Sequence, residues 1–280
     1  MKYKITHHTN YIFDSKVFLE PHYLRFRPKR TPYAEVLLHE LTILPEPIGH
    51  RTASDEENNL VDLCWFEELT GNLSIEATSI IETQPYNPFD FIIHPQKYYQ
   101  IPFQYARQQQ ELLFSTLGKP KLSKALIKYG ATIQKASDYN TLQYVANLTN
   151  QIHQDFKVEY REVGAPMLPD NTFQTKKGSC RDLSWMQINL LRHQGFAARF
   201  VSGYFYFDMD EPNYELHAWV DVFLPGAGWV GIDPSHGILT GNAHFPIATS
   251  AHFENTMPVS GGIRGSASSR LKTELYIEKI

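Results

Sequence analysis

Four prolines fall between residues 84 and 104, in QPYNPFDFIIHPQKYYQIPFQ, and they divide the chain. Proline lacks the N–H that a ladder needs and clashes with the preceding helical turn, so no helix interior or central strand runs through this stretch. Before it lie four β-rich runs, YKITHHTNYIF, AEVLLHELTIL, NLVDLCWF and NLSIEATSIIET, separated by Pro, Gly and Asn. Such runs predict a small antiparallel β unit. After it, helical periodicity appears and then gives way to strands. The expected organisation is an N-terminal β domain over residues 1–88, a linker over 89–104, a mixed core over 105–255, and a C-terminal tail over 256–280 whose RLKTELYIEKI forms a final strand. A chain of 280 residues has room for two such domains. The predicted fold class is α+β.

In the core region, SDYNTLQYVANLTNQIHQDF places Leu142, Val145, Thr149 and Ile152 at three- and four-residue steps, which predicts an amphipathic helix with Ser137 or Asp138 as its N-cap. A second helix is predicted in KKGSCRDLSWMQINLLRHQGF. There Ser179 and Asp182 have capping-box spacing and Cys180 is the first helical residue. Leu183, Met186, Leu190 and Leu191 form its core stripe, and Arg192, His193 and Gly195 carry the signals of a C-terminus. AARFVSGYFYF, HAWVDVFL and GWVGIDP then alternate as strands.

Composition narrows the function classes. With 42% hydrophobic and 20% charged residues the chain is globular in type, and a net charge of −4 gives no reason to expect a nucleic-acid partner. No apolar run approaches the ~18 residues of a membrane span. The opening MKYKITHHTNYIF alternates instead of forming a secretory apolar block, so a cytoplasmic location and no membrane association are expected. Cys64 and Cys180 are the only cysteines, too few for a disulfide framework or a four-cysteine zinc site. Both thiols are expected to be free.

A thiol at a helix N-terminus is placed for nucleophilic use when a base and an orienting acid stand beside it. Period-two alternation in HAWVDVFL puts Ala218, Val220, Val222 and Leu224 on one face and His217, Trp219, Asp221 and Phe223 on the other. Pairing this strand with GWVGIDP through a loop from Leu224 to Gly228 sets Val222 against Val230 and Val220 against Ile232, so the apolar faces coincide. Asp233 then lies opposite Trp219, with His217 as its diagonal neighbour. The expected catalytic set is Cys180 as nucleophile, His217 as base and Asp233 as the group that orients it. The Cys180 N–H, which opens the helix, is an oxyanion donor. Gln174 and Tyr160 are unranked candidates for a second donor.

GSCRDLSWMQINLLRHQGFAARFVSGYF followed by ELHAWVDVFLPGAGWVGIDPSHG resembles the core of the transglutaminase-like superfamily, in particular its bacterial group described as cysteine proteases. The elements that carry the likeness are Gly178, Cys180, Asp182, the run from Ala198 to Tyr204, His217 to Trp219, and Gly228 to Pro234. YKITHHTNYIFDSKVFLEPHYLRFRP resembles the β domain that precedes this core in the same group. The resemblance implies a papain-like core, places the family's Cys, His and Asp at Cys180, His217 and Asp233, and implies thiol acyl chemistry on amides. Glu215 and Leu216 stand where small residues often precede the His, and Ser235 where Thr is common, which bears on pocket shape.

Other readings set the bounds. Cys64 sits in a strand-like run and is expected to be structural. Trp219 and Trp229 are expected to pack, with Trp219 lining the cleft as the alternative. His7 and His8 fall on opposite faces of a strand and cannot clamp one metal ion. There is no HExxH or CxxC, and a Cys/His/Asp zinc site would need further ligands, so neither a metal nor a cofactor is assigned. The expected function is hydrolysis of peptide or amide bonds in a peptide, protein or small amide, through an acyl-enzyme. Transfer to an amine and a non-catalytic peptide-binding module are the alternatives; oligomeric state is left open.

Overall fold

The computed structural model describes residues 1–161, 164–208 and 214–280. Its N-terminal part is built from two antiparallel sheets. In the first, Lys2–Leu19 is flanked by Leu69–Thr83 on one side and Ser269–Lys279 on the other, with Ala34–Leu44 beyond Leu69–Thr83. The second runs Val259–Ser260, His22–Leu24, Leu60–Trp65 and Gly49–Ser54. Between the sheets lies a core that includes Val17, Leu19, Leu24, Phe26, Leu73 and Ile75. The alternation of the first strand is real: His7 is buried and His8 is half-buried, on opposite faces as period two requires.

Residues beyond 256 do not trail away from this unit. Val259–Ser260 pairs with His22–Leu24, Ile263–Arg264 pairs with the end of the first strand, and Ser269–Lys279 pairs with that strand from Phe13 back to Tyr3. Leu275 and Ile277 thereby join Tyr3 and Ile5 in a cluster with Tyr204 and Phe245 of the second half of the chain.

The second half is helices against a five-stranded antiparallel sheet, in the order Ile238–Leu239, Gly228–Asp233, His217–Leu224, Ala198–Phe205, His244–Ser250. Helix Cys180–His193 packs across one face, where Leu183, Met186 and Leu190 meet Val220, Val222 and Ile232. All six are fully buried, and each such side chain removed from water is worth about 1.5–3 kcal/mol. The hairpin has the expected register, Val222 against Val230 and Val220 against Ile232.

One expected cap is corrected. The helix Thr141–Asp155 starts at Asn140, whose Oδ1 accepts the Gln143 N–H at 3.0 Å. Ser137 instead ends a preceding helix, Lys124–Ala136. Asp138 and Tyr139 turn between the two in the left-handed region, at φ 49° and 57°. Two helices joined by so short a turn merge into one polar and apolar pattern, which displaces the apparent boundary.

Gly203 positions the site more directly. It pairs with His217 across the sheet. A Cβ there would fall 2.3 Å from the Phe245 carbonyl oxygen and 2.5 Å from Trp219 Cη2, so the absence of a side chain is what lets Trp219 lie beneath His217. Gly203→Ala is expected to cost about 1–3 kcal/mol through overpacking, read as a lower urea midpoint with unchanged slope.

Candidate active site

Cys180 is the first residue of its helix and lines a cavity of about 860 Å³. Its place is fixed by the buried carboxylate of Asp182. Oδ2 accepts the Ser179 N–H at 2.7 Å and the Ser179 hydroxyl at 2.8 Å. Oδ1 accepts Arg161 Nη2 at 2.6 Å and the Met167 N–H at 2.7 Å. Arg181 adds bonds to the carbonyls of Gly164 and Arg161. Asp182 therefore caps the helix and also fastens the chain around residue 165 beside the thiol. The spacing of Ser179 and Asp182 marked the cap, but nothing local marked Arg161 or Met167 as partners.

Two strands bring the other expected residues to the same place. His217 opens one and Asp233 ends its neighbour. His217 Nε2 donates to Asp233 Oδ2 at 2.8 Å, and the Cys180 side chain is near enough to the ring to help raise its pKa. Cys180 and His217 thus both line the cavity, with Asp233 buried behind the His217 ring. His217 is 12% exposed at its side chain and Asp233 is fully buried. Burial opposes the charged imidazole, but the Asp233 charge and its hydrogen bond, with a further contribution from Cys180, outweigh it and push the His217 pKa up to about 10. Burial likewise opposes ionisation of Asp233, yet the imidazoles around it hold its carboxyl well below the usual range.

Two of those imidazoles were missed in the sequence. His236 Nδ1 donates to the same Oδ2 at 2.7 Å, and His244 Nε2 stands 3.3 Å from it. The Ser235 N–H donates to Oδ1 at 2.8 Å. The Phe205 ring lies against all three histidines, stacked on His244 at 4.3 Å between centroids. His236 follows Asp233 by three residues, close enough for a turn to return it, and that was a usable signal. His244 arrives through pairing of His244–Ser250 with Ala198–Phe205, which no local pattern specifies.

The remaining candidates separate cleanly. Tyr160 lines the cavity, whereas Gln174 is exposed on the helix Pro169–Thr175 and is not among the lining residues. Glu215 and Leu216 both line it. Trp219 is buried and packs against His217 and His244 instead of facing the cleft. Trp229 packs on Phe223 and beneath the Arg199 guanidinium. Cys64 is fully buried, and burial pushes its thiol up to about 11. The cavity is not the work of the second half alone: His7, Thr9 and Tyr11 of the first strand and Leu271, Thr273 and Leu275 of the last also line it.

The paired shifts set a pH signature. The raised pKa of His217 contributes stability that is complete below its ordinary 6.5 and is lost as pH rises toward about 10. The depressed pKa of Asp233 contributes stability that is complete above its ordinary 3.8 and is lost as pH falls beneath that. His217→Gln is therefore expected to lower Tm most between roughly pH 4 and 6.5, with the gap narrowing steadily at higher pH, as followed by thermal unfolding across a buffer series.

Comparison with known proteins bears on both halves. Residues 3–82 match the bacterial transglutaminase-like N-terminal region, and residues 128–234 match the transglutaminase-like superfamily. A solved structure from Cytophaga hutchinsonii, provisionally described as a cysteine protease, superposes with a TM-score of 0.71 at 22% identity, covering 100% of this chain and 91% of that one. An uncharacterised protein of Mycobacterium tuberculosis is 23% identical over 277 residues, 93% of this chain and 87% of the relative. A protein-glutamine gamma-glutamyltransferase of Pseudomonas aeruginosa is 29% identical over 82 residues, 27% of this chain and 12% of that protein. No helix among the described residues is long and apolar enough to cross a membrane.

Proposed function

Because this chain belongs to the transglutaminase-like superfamily, we propose that it is a thiol enzyme that cleaves peptide or amide bonds through an acyl-enzyme, with Cys180, His217 and Asp233 as its catalytic residues. The observation that carries this reading is the His217 ring held between a cavity-lining thiol and a buried, ionised carboxylate. With the thiol proton held at His217 Nδ1, the sulfur attacks the amide carbonyl. The oxyanion that forms is received by the Cys180 N–H, which as the first of the helix has no partner within it. Collapse breaks the carbon–nitrogen bond, and the departing amine takes the proton from His217. Water then attacks the thioester, giving its proton to His217, and the acid leaves as the sulfur recovers a proton. Asp233 keeps the imidazole in one tautomer and stabilises its charged form throughout.

Transfer of the acyl group to an amine differs only in the second nucleophile, and the likeness of one segment to a protein-glutamine gamma-glutamyltransferase favours testing it. The free thiols suit a reducing compartment, and the cytoplasm is the location this reading assigns.

A panel of peptides and glutamine amides, scored for ammonia release and for amine incorporation, is expected to show hydrolysis as the main outcome. Cys180→Ala and His217→Ala should abolish turnover while the protein stays folded, and Asp233→Ala should retain roughly a tenth of it or less. Iodoacetamide should alkylate Cys180 well below pH 8 and far faster than Cys64. Full activity in Cys180→Ala would overturn the assignment, and equal sluggishness of both thiols would favour a binding module.

A further inference from the structure

The geometry points to a second use of the Asp233 carboxylate, as one ligand of a site for a zinc-type divalent cation formed with His217 and His236. Three imidazole nitrogens converge on the single oxygen Oδ2, at 2.8, 2.7 and 3.3 Å, while Oδ1 has the Ser235 N–H. One carboxylate oxygen offers about two lone-pair directions, so three ring donors oversubscribe it. His217, Asp233 and His236 each present a ligand atom, all within 4.8 Å of one another. In a tetrahedral zinc site with bonds of about 2.0–2.2 Å, ligand atoms stand about 3.3–3.5 Å apart. To admit the ion, His217 Nε2 and His236 Nδ1, now 2.8 and 2.7 Å from Oδ2 and within 4.8 Å of each other, need to withdraw from Oδ2 by roughly 0.5–0.8 Å and close toward each other. His236 is 41% exposed at its side chain and, with His217, lines the cavity, which gives the ion a route in and leaves water as the fourth ligand.

His244 is not one of the ligands. Its Nδ1 accepts the Gly241 N–H at 3.3 Å, so the ring proton resides on Nε2 and is offered to Asp233. A metal on that Nε2 would force a proton onto Nδ1, against the Gly241 N–H. His244 and Ser235 are therefore the groups that hold the ligating carboxylate in place, the support such ligands generally need.

Coordination exchanges protons for the ion. The proton on His217 Nε2 passes to solvent, and that on His236 Nδ1 passes to its outer nitrogen or to solvent. His217 keeps its Nδ1 proton, facing Cys180, and a metal-bound ring cannot take up a second. On the reaction proposed above, a bound ion would stop turnover by removing the base while leaving the sulfur uncoordinated. That consequence rests on the proposed reaction; the binding does not.

The test uses the full-length chain, Zn2+ and Co2+ salts, and Cys180→Ala, His236→Ala and His236→Asn variants. Equilibrium dialysis with elemental analysis should give one Zn2+ per chain in both the unaltered protein and Cys180→Ala, with affinity reduced at least about tenfold in each His236 variant. Zn2+ should raise Tm in Cys180→Ala and not in His236→Ala. Co2+ should give d–d bands without thiolate-to-metal charge transfer, and Cys180 should remain open to alkylation with metal bound. No saturable uptake would overturn the site. So would binding lost in Cys180→Ala but retained in the His236 variants, because that would place the ion on the sulfur.

Discussion

A single ionised carboxylate without solvent contact organises this molecule's chemistry. A charge stripped of water is tolerable in a protein interior only when donors replace the lost hydration. Asp233 receives that replacement from imidazoles and one backbone N–H, and in exchange it fixes where those imidazoles stand. The direction of His217, the stacking of Phe205 on His244 and the sparing of a side chain at Gly203 all serve this one arrangement. A neutral residue in its place would leave several polar rings packed around nothing.

The second organising carboxylate is Asp182, and its task differs. Asp233 sets the charge on the His217 ring, whereas Asp182 fixes where Cys180 stands by tying the start of its helix to the chain around Met167. Both are buried, and both oxygens of each carboxylate accept hydrogen bonds.

Much of this was legible in the sequence, for reasons that can be stated residue by residue. The proline-rich segment separated a β-only region from a mixed one, and the hairpin register followed from burying Val220, Val222, Val230 and Ile232 together. That register was enough to bring His217 beside Asp233, and the cap chemistry of Ser179 was enough to start the helix at Cys180. What failed to show was long-range or masked by a neighbour. The N-cap Asn140 is hidden in the pattern because the helix before it, Lys124–Ala136, runs almost directly into the next. Arg161 and His244 reach their carboxylates from 21 and 11 residues away, across a loop and a strand crossing that hydrophobic periodicity does not encode. The pairing of Ser269–Lys279 with Lys2–Leu19 joins segments from opposite ends of the sequence, and only packing could select it.

That last pairing has a consequence for how the molecule is made. Cys180, His217 and Asp233 all precede residue 269 in the chain, yet part of the cavity wall is built from the strand that follows. Until that strand has paired, the flank of the crevice lined by Leu271, Thr273 and Leu275 lacks its wall. Closure of the pocket therefore waits on residues 269–279 finding the first strand.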